Sequence, residues 1–231
     1  MNRSFRLLSV VVSCLVWANG CFADEVLFHK ESRNYGQEGL LGKVFRREFE
    51  TRMFTHPTWR QRLYGASHDP DVNETLEVYA RPDHSIWLSH RYASPSLSTI
   101  IWSRIYIGEK FDLKKRLDAV HITDHEIALP PEVAKELELL WRTMLPGLAE
   151  APKPPVLYMH TPILIAFARE NNSVETGSIP IAAYDTPIYR DFLAVVKDLK
   201  DLCDHGANST DPAFAPLPDK IRRLRARLGK P

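Results

Sequence analysis

The densest group of potential metal ligands in the chain is His121-Ile122-Thr123-Asp124-His125, because imidazole nitrogens and a carboxylate suit zinc and related ions. Histidines four apart share one face of a helix. Here, however, β-branched Val120, Ile122 and Thr123 ahead of Leu129-Pro130 point to a strand or a loop. On a strand the even spacing keeps His121 and His125 on one side, with their Cα atoms more than ~10 Å apart at roughly 3.3 Å per residue. A metal held by His121, Asp124 and His125 therefore needs ligands from elsewhere. This group carries the enzymatic alternative, an envelope hydrolase assisted by a metal.

Other residues with chemical potential lack the spacing that chemistry needs. Ser67-His68-Asp69 puts triad residue types side by side, whereas a triad is assembled in space, and no G-x-S-x-G elbow or H-E-x-x-H pattern occurs. Gly36, Gly39, Gly42 and Lys43 miss the phosphate-loop spacing, with Gln37 at the first required glycine and Val44 where a hydroxyl should bind magnesium. Paired carboxylates such as Asp69 with Asp71, or Asp83 near Glu77, sit in or beside turns, where aspartate is common for conformational reasons. Cys203 ends an apolar helical stripe and reads as a small hydrophobe rather than a nucleophile. No catalytic residue is assigned and no cofactor is expected.

Two groups of residues suit binding instead. Trp87, with Trp102, Tyr79, Tyr92 and Tyr106, makes either an aromatic surface on a sheet or the packing beneath a helix. Arg222, Arg223, Arg225 and Arg227, flanked by Lys220 and Lys230 and opposed only by Asp219, form a basic end suited to anionic lipid or an acidic partner.

The elements that must position these residues follow from periodicity. Leu41, Val44, Phe45, Phe49 and Met53 recur at helical spacing over 38–54, and Thr58 to Tyr64 adds a short helix after Pro57. Alternation over 75–80 and 86–92, separated by Arg81-Pro82-Asp83-His84, predicts a hairpin. Thr99 to Ile107, apolar on both faces, predicts a covered third strand, and 116–122 a fourth. Pro130-Pro131 opens a helix with the stripe Val133, Leu137, Leu140, Trp141 and Met144. Strands are expected over 156–160, 163–168 and 174–181, the last two turned by Glu170-Asn171-Asn172. A helix from Pro187 carries Phe192, Val195, Val196 and Leu199 on one face and fades near Cys203. The expected fold is α+β, an antiparallel sheet of about five to six strands with about three helices packed on it, in the order α-β-β-β-(β)-α-β-β-α.

Residues 1–23 resemble a cleaved export signal: Arg3 and Arg6, an apolar run from Leu7 to Trp17, and small residues before Asp24. The run is shorter than the ~20 residues that cross a bilayer. Gly20-Cys21 offers the rival outcome of a lipoprotein anchored through Cys21. The expected organisation is a signal at 1–23, one domain at 24–203, and a flexible basic tail at 204–231.

Removing the signal takes Arg3 and Arg6 from the 30 basic residues and none of the 29 acidic ones, so the formal charge passes from +1 to −1. That balance argues against nucleic-acid binding. It also takes two of the three cysteines and leaves Cys203 without an internal disulfide partner. Asn73, Asn171 and Asn208 open tripeptides that fit the N-glycosylation pattern, which matters only in a glycosylating secretory pathway. Together these features predict a periplasmic or secreted, non-catalytic module that binds a protein or an envelope component, with no membrane span once the signal is gone.

Overall fold

Period-two alternation and three-to-four spacing meet on one sheet in this chain. The computed structural model describes residues 29–30, 40–65, 73–97, 99–101, 103, 112–145, 165–170, 173–178 and 186–228. The export segment with Cys21, the Ser67-His68-Asp69 run, Trp102, Tyr106 and the strand expected at 156–160 lie outside the described residues.

The fold is α+β. Two-residue β1 (His29–Lys30) edges a sheet of six longer strands: β2 (Trp59–Tyr64), β3 (Asn73–Ala80), β4 (Ile86–Ser94), β5 (His121–Ala128), β6 (Ile165–Glu170) and β7 (Ser173–Ser178). All neighbours are antiparallel in the order β1-β7-β6-β2-β3-β4-β5. Hairpins join β3 to β4 and β6 to β7, with Ala80 opposite Ile86 and Glu170 opposite Ser173. The first turn is held locally: His84 adopts a φ of 67°, and the Asp83 carboxylate accepts from the Ser85 backbone N–H at 3.0 Å.

Helices cover both faces of the sheet. On one face α3 (Pro131–Met144), α4 (Pro187–Asp204) and α5 (Leu217–Leu228) bury Leu63, Leu76, Val78, Leu88 and Ile127 beneath Leu137, Leu140, Phe192, Val196 and Ile221. A polar chain docks α4 there as well: His90 Nδ1 is 2.6 Å from the Asp204 carboxylate, and Lys200 lies 2.8 and 2.7 Å from the two Glu74 oxygens. On the opposite face α1 (Leu40–Met53) and α2 (Leu113–Asp118) bring Phe49, Met53 and Leu117 into a smaller core with Leu97 and Ile101 from the segment after β4.

Four expectations are corrected. Residues 59–64 are a strand, because Gln61 and Leu63 face the helix layer while Arg62 stands opposite Glu77 on the other side. Leu97, Thr99, Ile100, Ile101 and Ser103 are helical: Ser96 caps them through Thr99 N–H at 3.4 Å, and apolar residues three and four apart bury together. An apolar run reads alike as covered strand or buried helix, which is why periodicity alone misassigned it. Residues 113–118 form α2, so the strand expected over 116–122 begins only at His121. Within the region expected to be a flexible tail, residues 204–228 are folded. Gly206, at a φ of 66°, closes α4 with Gly206 N–H on the Cys203 carbonyl and Ala207 N–H on that of Leu202. Asp211 then caps the 3-10 turn Pro212–Phe214, and Leu217, Ile221 and Leu224 enter the main core. Among the described residues no helix is long and apolar enough to cross a membrane.

Candidate functional site

Strand register sets polar residues in rows on the face opposite α3, α4 and α5. One row runs Arg62, Glu77, Ser89, Glu126 across β2 to β5; the next runs Tyr64, Thr75, Arg91, Asp124. Above them the segment between α1 and β2 lowers His56 onto the sheet. The imidazole stacks on Tyr79, with centroids 3.8 Å apart and planes 5° from parallel, and its backbone carbonyl accepts from Arg62 at 3.3 Å. Arg91 bonds the Arg52 carbonyl at 3.2 Å and the Thr55 hydroxyl, which fixes this segment over the sheet.

Each carboxylate of the cluster is held through one oxygen by an arginine. Arg62 holds Glu77 Oε1, Arg91 holds Asp124 Oδ2, and Arg81 holds Glu126 Oε2 at 2.9 Å. The other oxygens of the two glutamates converge on His56 Nε2, with Glu126 Oε1 at 3.4 Å and Glu77 Oε2 at 3.8 Å. Asp124 turns Oδ1 to the Ser89 hydroxyl at 2.7 Å. His56, Asp124 and Glu126 each bring one donor atom within 4.8 Å of the others. His56 Nε2 and Glu77 Oε2 are buried without a hydrogen bond of good geometry, although the His56 backbone N–H lies near enough to draw the Glu77 carboxyl downward. His56 Nε2 thus faces two carboxylate oxygens with no well-aligned hydrogen bond to either.

The electrostatics follow burial. The Glu77 side chain is 1% exposed, and that burial raises its pKa despite the opposing pull of Arg62. Burial lowers the pKa of His56, partly offset by Glu126, which favours the neutral imidazole at neutral pH. The side chains of Asp124 and Glu126 are 28% and 29% exposed, so the cluster opens to solvent on the β5 side.

The sequence-derived metal group is divided by the strand it lies on. His121 is exposed opposite Ser94, His125 faces the helix layer beside Tyr92 with rings 6.1 Å apart, and Asp124 alone joins the cluster. His56 and Glu77 were missed as partners of Asp124 because they come from separate elements, the segment before β2 and strand β3. The signal within reach was Glu126, two residues from Asp124 and therefore on its face.

The binding candidates are similarly engaged. Arg81 stacks 3.3 Å from the Trp87 ring centre, and the Trp87 indole N–H donates to Ser85 at 2.8 Å. Arg222 bonds Glu132 at 3.1 Å and Asp219 at 2.6 Å; Arg225 lies 3.1 Å from Glu136, Arg227 pairs with Asp191, and exposed Arg223 bonds the Asp219 carbonyl at 3.3 Å. Three of the four basic side chains thus fasten α5 to α3 and α4.

Cys203 is 1% exposed, its thiol lies 3.0 Å from the His125 carbonyl, and burial pushes its pKa up to about 12. Thiolate is the reactive form. Residues 24–231, in which Cys203 is the one cysteine, should therefore leave a thiol-disulfide reagent such as DTNB unreacted for hours, with one equivalent released on unfolding in guanidinium; rapid native labelling would contradict this burial.

No protein-family model matches the chain, and no curated protein or solved structure matches it either.

Proposed function

We propose that the chain is exported by residues 1–23 and acts in the cell envelope as a non-catalytic module whose bound component is a divalent metal ion at His56, Glu77, Asp124 and Glu126. The convergence of Glu77 Oε2 and Glu126 Oε1 on His56 Nε2, at 3.8 and 3.4 Å, carries this reading. Ligand atoms that each sit about 2.0–2.2 Å from a tetrahedral ion lie about 3.3 Å from one another; the His56–Glu126 separation of 3.4 Å is already near that value, and the donors of His56, Asp124 and Glu126, within 4.8 Å of one another, must close further on the ion. Arginine on the far oxygen of each carboxylate supplies the outer hydrogen bonding that orients ligating groups. A neutral imidazole with carboxylate oxygens suits zinc or manganese. Because three arginines offset three carboxylates, the expected affinity is moderate, about micromolar.

Titration of residues 24–231 with Zn2+ and Mn2+ in a calorimeter tests this. One equivalent should bind, His56→Ala and Glu126→Gln should abolish it, and His121→Ala with His125→Ala should leave it unchanged. At 100 times Kd the metal should add about 2.7 kcal/mol of stability. Absence of binding, or binding that survives His56→Ala, overturns the metal reading. The solvent-open side at Asp124 and Glu126 also favours the alternative of a metal-assisted hydrolase; metal-dependent turnover of an ester would decide for it, since an open position admits water. Export is tested by fusing residues 1–23 to a reporter active only outside the cytoplasm, and a silent fusion rejects it; acylation of Cys21, read by mass, would mark a lipoprotein.

A further inference from the structure

On the helix-covered face, away from the His56 cluster, a recess of about 420 Å³ lies between β2, β3 and the first half of α3. Its wall is apolar, from Val78, Ile86, Leu129 and Ala134. Gln61 is 4% exposed, lines this space, and has no hydrogen-bond partner for Oε1. Leaving a buried carbonyl oxygen unmatched costs roughly 1–3 kcal/mol, so a donor belongs there.

The rim is cationic. Exposed Arg60 and Lys135 line the recess and make no ion pair among the described residues, whereas Glu138 is already paired with Arg142 at 2.9 Å. The backbone is shaped for this. Trp59 pairs with Tyr79 and Gln61 with Val78, so Arg60 is the extra residue of a β-bulge, the irregularity that re-aims a side chain beside a site. The volume falls within the range of small-molecule pockets.

We propose that this recess binds a small organic anion with an apolar body: a hydrogen-bond donor at its inner end meets Gln61, and a carboxylate at its outer end meets Arg60 and Lys135. It is a second site, independent of the metal reading, since the two lie on opposite faces of the sheet.

The probe is 4-hydroxybenzoate, compared by calorimetry with benzoate, which lacks the inner donor, and 4-hydroxybenzyl alcohol, which lacks the charge. On residues 24–231, 4-hydroxybenzoate should bind at one site, with each analogue weaker by about tenfold. Arg60→Met and Lys135→Met, both at exposed positions, should each weaken 4-hydroxybenzoate by about tenfold while leaving the neutral alcohol unchanged. Gln61→Leu, with an unchanged melting profile as its folding control, should erase the preference for 4-hydroxybenzoate over benzoate. If 4-hydroxybenzoate shows no saturable binding, or if Gln61→Leu keeps the preference and the two methionine variants keep the affinity, the proposal is wrong.

Discussion

A chain ending at Pro216 is expected to be unfolded. Leu217, Ile221 and Leu224 are 0%, 0% and 2% exposed, and they close the main core over α3 and α4. Burying each contributes about 1.5–3 kcal/mol, so the three together supply about 5–9 kcal/mol. That is comparable to the whole stability of an ordinary domain, about 5–15 kcal/mol. Truncation would also uncover the apolar faces of α3 and α4 and strip Arg222 and Arg225 from buried Glu136. Far-UV circular dichroism of residues 24–216 should lack a cooperative melt, and Ile221→Ala in the full chain should cost about 2–5 kcal/mol. A truncated protein that melts like the full chain would show that residues 217–231 are a dispensable tail after all.

That tail reading failed for a definable reason. Gly, Asn, Ser, Asp and Pro dominate residues 204–216 and resemble a low-complexity linker, yet each has a local job: Gly206 takes the left-handed turn that ends α4, Asn208 accepts from the Thr210 backbone and hydroxyl, and Asp211 caps the turn opened by Pro212. Composition could not separate them from disorder, but Ile221, Leu224 and Leu228 at helical spacing already hinted that the segment had something to pack against.

Legibility elsewhere depended on how local the determinants are. The β3–β4 hairpin, α3 and α4 were readable because turn, cap and stripe lie within a few residues of one another. Strand β2 was not, since its place between β3 and β6 depends on pairing Arg62 with Phe167, more than a hundred residues away. The cluster on the sheet suffers the same limit. Asp124 was identifiable as a ligand type, but its partners are selected by register across four strands and by a segment folded over them. The alternation that brings Glu126 to the same face sends His125 to the other.

Arg62→Met should be the most damaging single substitution on this face. It leaves Glu77 buried without its cation, and removing one partner of a buried pair costs about 3–5 kcal/mol. Methionine keeps much of the stem packing but loses the guanidinium stacked 4.2 Å from the Trp59 ring centre and 4.3 Å from that of Phe54. The sign of the pH dependence identifies the cause. Burial already raises the Glu77 pKa above its ordinary 4.5 in the folded state. A carboxyl raised on folding contributes stability that is fully present below the unfolded value and is lost as pH rises through the folded one. Without Arg62 the folded value climbs further, so the deficit should be small near pH 4 and grow through neutrality. Urea denaturation at pH 5 and pH 8 should show the larger loss at pH 8, and Glu77→Gln in the same chain should restore more than half of it by removing the stranded charge. A deficit equal at both pH values, or untouched by Glu77→Gln, would mean that Arg62 acts through its stacking on Trp59 and Phe54 rather than through the carboxylate it faces.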